Sequence, residues 1–205
     1  MANASATVFL SLSLTFAAAC SSKSDETTAT TSSTTSSTTG GGELVTCEAF
    51  CTAILKLACG KDEKATCLAQ CEQNAQSIAG CSVELSAATA CALPTLACDA
   101  DGKANFDRKE SSLKCSKEIV AFESCATCIP TGDAQSCHSC SATKCCAERQ
   151  AVYADASAVD YATCKGACAD PLCADACDAK FPSIQQKKSA TEACEAMKCL
   201  VQCGG

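Results

Sequence analysis

The stretch CEAFCTAILKLACGKDEKATCLAQC, residues 47–71, decides the fold. Cys47/Cys51 and Cys67/Cys71 are each Cys-x3-Cys, with 15 residues between the two pairs. On an α-helix, residues i and i+4 lie on one face, a turn apart. Two antiparallel helices joined by a turn then close two rungs, first with last: Cys47–Cys71 outside and Cys51–Cys67 inside. The apolar period agrees. Leu44, Cys47, Cys51, Ile54, Leu55 and Ala58 fall on one helical face, with Gly60 placed to end that helix and Asp62 to cap the next.

The same punctuation continues along the chain. Ser82 opens SVELSAATACAL, which Pro94 stops, and Ser112 is placed to cap a helix running through LKCSKEIVAFESCATC to Pro130. Between them Asp99 to Glu110, DADGKANFDRKE, has no apolar period and reads as a long loop. Further on, TKCCAERQAVYADASA is a helix candidate and Asp160 leads YATCKGAC. Asp170-Pro171 starts LCADACDAKF, and Ser189 with Glu192 has capping-box spacing ahead of ACEAMKCLVQC. No run alternates with period two long enough to build a sheet, so the expected fold is all-α, made of small disulfide-stapled hairpins. Cys164/Cys168, Cys173/Cys177 and Cys199/Cys203 repeat the Cys-x3-Cys device. Division near residue 127 leaves ten cysteines on one side and twelve on the other. Both counts are even, so two cysteine-rich modules are expected, 43–127 and 128–205.

Twenty-three cysteines in 205 residues mark a disulfide scaffold, and hence an oxidising compartment. The apolar fraction is 47 %, but Ala and Cys supply much of it, and there is no Trp. Such a core buries little area per side chain, at roughly 25 cal/mol per Å². A bridge closing about 15 residues contributes on the order of 3 kcal/mol, so covalent staples outweigh burial. The formal charge of −7, with no basic patch and no aromatic stacking motif, argues against nucleic acid as a partner.

Residues 1–19, MANASATVFLSLSLTFAAA, carry an apolar run too short to span a membrane and suited to a signal peptide. Ala17-Ala18-Ala19 before Cys20 has lipobox character, which makes Cys20 a lipid-attachment site. Ordinary cleavage after Ala19 fits the same residues. The lipid reading has the arithmetic on its side: setting Cys20 aside leaves 22 cysteines, all able to pair. Residues 21–42, SSKSDETTATTSSTTSSTTGGG, are a Ser/Thr/Gly tract that reads as a disordered tether. As a coil it would span roughly 25 Å.

Leader, Cys20, tether and the segments CEAFCTAILKLACG, CLAQCEQ, CHSCSATKCC, CKGACADPLCADAC and CEAMKCLVQCGG together resemble the cysteine-rich lipoproteins of myxobacteria. The resemblance covers essentially the whole chain and rests mostly on spacings. It implies helical, disulfide-rich modules and lipid anchoring at the outer membrane or cell surface. It implies no activity.

Four constellations have the residue types for chemistry. Cys125-x2-Cys128-x8-Cys137-x2-Cys140 has the outline of a four-thiolate zinc knuckle, although an oxidising compartment would pair these thiols. Either Cys-x-x-Cys is also a redox motif, but without a thioredoxin-like α/β frame. His138, the single histidine, lies between Cys137 and Ser139 and reads as an exposed loop residue rather than a hydrolase base. DADGKANFD begins like a calcium loop, with the wrong spacing beyond it. The expectation is therefore a non-enzymatic exported lipoprotein with no cofactor, bound to a membrane through its anchor and to an unidentified protein or polysaccharide. The alternative is a zinc-binding or thiol redox-buffering envelope protein.

Overall fold

The computed structural model describes residues 44–59, 64–131, 133 and 135–204. The leader, Cys20, the tether, Gly60 and Asp62 lie outside them. The described residues form ten α-helices, two single-turn 3-10 helices and one two-stranded hairpin, an all-α architecture.

Helix α1 (Cys47–Lys56) begins where the Thr46 hydroxyl accepts a hydrogen bond from the Ala49 N–H at 3.1 Å. It faces α2 (Lys64–Ser77), and the disulfides between them run Cys47–Cys71 and Cys51–Cys67. Beneath these rungs lies an apolar floor of Phe50 and Ile54, against which Val45, Leu68, Leu93, Leu96 and Phe106 pack. The left-handed residue after α1 is Ala58, at φ 51°, two positions earlier than Gly60. It satisfies the helix end by donating to the Leu55 carbonyl.

Two readings of the middle segment are corrected. The expected loop holds an antiparallel hairpin, β1 (Leu96–Cys98) with β2 (Ala104–Phe106), and Leu96 pairs with Phe106. Three-residue strands are too short to show period two. Their turn is stabilised by the Asp99 carboxylate, which accepts from the Asp101 and Lys103 amides at 2.9 Å, with Gly102 at φ 73°. Helix α4 (Arg108–Ala126) then starts at Asp107, whose side chain accepts from the Glu110 amide; Ser112 lies inside the helix. Asp107 wins because its carboxylate meets the free amides of the first turn.

Helix α3 (Ser82–Ala92) packs along α4 in the antiparallel sense, because Cys81 bonds to Cys125 and Cys91 to Cys115. The other side of α4 meets α7 (Ala158–Gly166). That approach is close: a Cβ on Gly166 would lie 1.8 Å from the Ser112 hydroxyl oxygen. The seam is hydrogen-bonded as well, with Thr163 donating to Ser116 at 2.7 Å and Ser116 to the Ser112 carbonyl.

The last third is organised by α9 (Pro182–Lys198), which runs continuously through Ser189, so no helix starts at the Ser189/Glu192 spacing. Pro182, fixed in φ, supplies the start instead. The expected helix from Thr143 is broken at Cys145 (φ −120°) into α5 (Cys137–Lys144) and α6 (Cys146–Tyr153). Cys145 is fully buried and bonded to Cys194 of α9, so tertiary linkage overrides local helix propensity. Cys140–Cys199 and Cys137–Cys203 continue this ladder into α10 (Leu200–Cys203). Cys59–Cys98 and Cys128–Cys146 tie the ends of α1 and α4.

Eleven disulfides thus use every cysteine from Cys47 to Cys203. Five lie among residues up to Cys125 and six among those from Cys128, and none joins the two sets. Residues 44–204 nevertheless pack as one unit, through the α4–α7 seam.

Candidate functional site

The second twin Cys-x3-Cys supplies the chemistry that stands out. Helix α7 carries Cys164 and is followed by Cys168; α8 (Pro171–Lys180) carries Cys173 and Cys177. Asp170 caps α8 by accepting from the Cys173 amide at 2.9 Å, with Pro171 at the first helical position. The bridges nest as Cys164–Cys177 and Cys168–Cys173. They also touch. Cys168 Sγ lies 3.6 Å from Cys177 Sγ, and the sulfurs of Cys168, Cys173 and Cys177 all fall within 4.8 Å of one another.

Below these sulfurs is a polar floor. The Lys165 side chain is 6 % exposed, and its Nζ donates to both Asp178 oxygens at 3.0 Å and to the Ala174 carbonyl at 3.2 Å. Tyr161 donates to Asp178 at 2.8 Å, and Gln185 of α9 donates at 2.9 Å. Lys188 of α9 donates to the Tyr161 oxygen at 3.2 Å, and Phe181 meets the Tyr161 ring edge-on. Burial pushes the Asp178 carboxyl upward, but the hydrogen bonds from Tyr161 and Lys165 and the charge of Lys188 outweigh it. The result lies below the ordinary carboxylate value. Burial lowers the Lys188 ammonium, against the raising influence of Asp178. Three helices are therefore clamped around one carboxylate without help from sulfur.

The pairing leaves none of the four zinc-knuckle cysteines as a free thiol. Cys125 is bonded to Cys81, Cys128 to Cys146, Cys137 to Cys203 and Cys140 to Cys199. The four sulfurs are committed to four different partners, because distant helices supply better-placed thiols than the local Cys-x-x-Cys spacing does.

His138 is half-buried in the first turn of α5, not in an exposed loop, and its Nδ1 lies 3.3 Å from the Thr131 hydroxyl. Burial and then the nearby Arg149 charge push its pKa down, which favours the neutral ring. The Ser139 hydroxyl donates to the Thr131 carbonyl, so these neighbours do not form a nucleophile–base pair. Arg149 lies in a structural network, donating to Thr127 and to the buried Ser141 hydroxyl, which in turn donates to Glu195. The Asp99 carboxylate is used on its own turn amides. A shallow hollow of about 250 Å³ lies between Glu192, Glu195, Ala196 and Leu200, Cys203, Gly204. It is smaller than ligand pockets, which run about 300–1,000 Å³.

Sequence reasoning missed the Lys165–Asp178 floor. A signal was present: Tyr161 and Lys165 sit four apart on one helix, and Lys165 and Asp178 each directly follow a bridged cysteine. No protein-family model, curated protein or solved structure matches the chain.

Proposed function

We propose that this is a non-enzymatic exported lipoprotein of the myxobacterial cysteine-rich kind. In this reading it is anchored through Cys20 to the outer membrane or cell surface, and a disulfide-stapled helical body on a Ser/Thr/Gly tether serves as a binding or structural element. One observation carries the reading: the 22 cysteines from Cys47 onward all find partners, which leaves Cys20 as the odd one behind an apolar leader. So many bridges need an oxidising compartment to form. The net charge of −7 fits a protein or polysaccharide ligand better than nucleic acid.

The test is intact-mass analysis of protein from the native host before and after reduction. A gain of two hydrogens for each of the eleven bridges, with an acyl mass on Cys20, supports the reading. Free thiols in the native sample, or a mature chain starting after Ala19 without lipid, would contradict it. Replacing Cys20→Ser should move the protein from the membrane fraction to the soluble one.

The second reading, a metal-binding or thiol-buffering envelope protein, is favoured by the sulfur contact in the α7–α8 hairpin.

A further inference from the structure

We infer that the α7–α8 hairpin is a masked soft-metal site, in which Cys164, Cys168, Cys173 and Cys177 bind one zinc or cadmium ion once their two bridges are reduced. This gives the second reading above a location and stands whether or not Cys20 carries a lipid.

The first support is the placement of the sulfurs. A tetrahedral thiolate site with metal–sulfur bonds of about 2.3 Å sets its sulfurs about 3.8 Å apart. Cys168 and Cys177 already stand 3.6 Å apart, Cys173 is bonded to Cys168 and lies within 4.8 Å of Cys177, and Cys164 is bonded to Cys177. Opening a bridge frees its sulfurs to part by rotating about their side-chain bonds. Among the described residues this is the one place where three metal-ligating side chains converge so closely. The α1–α2 hairpin has the same twin spacing, yet its two rungs form no such cluster.

The second support is that the hairpin is held without its bridges. Lys165 of α7 grips Asp178 and the Ala174 carbonyl of α8, and Gln185 adds α9 to the same carboxylate. Asp170 starts α8 where Cys173 needs to be. Reduction removes two covalent links but leaves this clamp, so the four thiols remain facing one another. Preplaced ligands are what a metal site requires.

Access follows from burial. Both cysteines of the Cys168–Cys173 bridge are partly exposed, whereas in the Cys164–Cys177 bridge only Cys164 is, Cys177 being buried. A dithiol reductant meets Cys168–Cys173 first. The freed Cys168 thiolate is then in contact with Cys177 and can attack it, releasing Cys164 and leaving a Cys168–Cys177 bridge, which a second dithiol opens. Each reductant molecule delivers two electrons and two protons and leaves as its own cyclic disulfide. Four thiols result, and they give up as many as four protons when the cation binds.

The experiment uses the full chain treated with two equivalents of a dithiol, the amount that opens two bridges, with either zinc or a chelator present, then briefly alkylated and mapped by peptide mass. The expected result is one zinc per chain and alkylation of Cys164, Cys168, Cys173 and Cys177 slowed about tenfold or more by zinc, since a coordinated thiolate is shielded. The other cysteines should react at equal rates in both samples. The variant Cys168→Ser/Cys173→Ser keeps the Cys164–Cys177 bridge and should lose zinc affinity by about a hundredfold or more after reduction, two of four ligands being gone. Mapping on the unaltered chain decides the matter even if that variant folds poorly. Zinc bound with protection at other cysteines overturns the site while leaving a metal-binding protein. Absence of any bound zinc overturns both.

Discussion

The α1–α2 and α7–α8 hairpins are built on the same cysteine device, Cys-x3-Cys on each arm with nested bridges, and differ in what lies under it. Fifteen residues lie between the inner cysteines of the first hairpin and four between those of the second. The first rests on Phe50 and Ile54, with the Phe106 ring 6.1 Å from that of Phe50. The second rests on a lysine, an aspartate and a tyrosine. Spacing on two antiparallel helices fixes the covalent pattern, and the floor fixes what the pattern is good for. An apolar floor makes a staple inert. A polar clamp with touching sulfurs makes it a site that survives opening.

The largest effects should come from attacking the two floors. Phe50→Ala should destabilise the chain by about 3–5 kcal/mol in denaturant unfolding, the usual cost of emptying a core aromatic. Lys165→Met should cost about 1–3 kcal/mol, because it removes the buried ammonium that pairs with Asp178 and leaves that carboxylate only Tyr161 and Gln185 as direct donors. The sharper comparison is Lys165→Met/Asp178→Leu, which turns the second floor into a copy of the first. It should recover most of that loss, since apolar replacements of both partners are well tolerated.

A smaller effect is expected from the helix that carries both halves. Burial raises the Glu123 carboxyl on α4 to about 7, against the lowering hydrogen bond from Tyr153. Between 4.5 and about 7 the folded chain holds a proton that the unfolded chain has lost, so this contribution is fully present below pH 4.5. It is lost as pH rises through 7. Stability at pH 8 should fall below that at pH 5 by on the order of 2 kcal/mol on this account. Thermal melts of Glu123→Gln should show that slope flattened; an unchanged slope would remove Glu123 from the explanation.

The smallest effect concerns the end of α1. Ala58→Gly should raise stability by about 1 kcal/mol, because glycine adopts the left-handed region without a Cβ penalty. A loss of stability would mean that the alanine methyl packs usefully there.

Much of this architecture is legible in residue types at fixed distances. The four-residue cysteine spacing encodes rungs between antiparallel helices, and Asp170-Pro171 encodes the start of α8. What depends on partners far along the chain is not legible. Cys145 breaks an otherwise good helix because Cys194 claims it. The zinc-like quartet dissolves because Cys81, Cys146, Cys199 and Cys203 are nearer in space than its own members. Gly166 reads as an ordinary helix residue until Ser112 is found against it. The polar floor under the second hairpin is assembled from three helices, so no local pattern announces it.

Disulfide mapping of the native, unreduced chain tests the central claim most directly. Protease digestion at neutral or lower pH with fragmentation mass spectrometry should show Cys164 linked to Cys177, Cys168 to Cys173, and no peptide joining the cysteines up to Cys125 with those from Cys128. A bridge across that division, or Cys164 and Cys168 bonded to partners outside α8, would contradict the account.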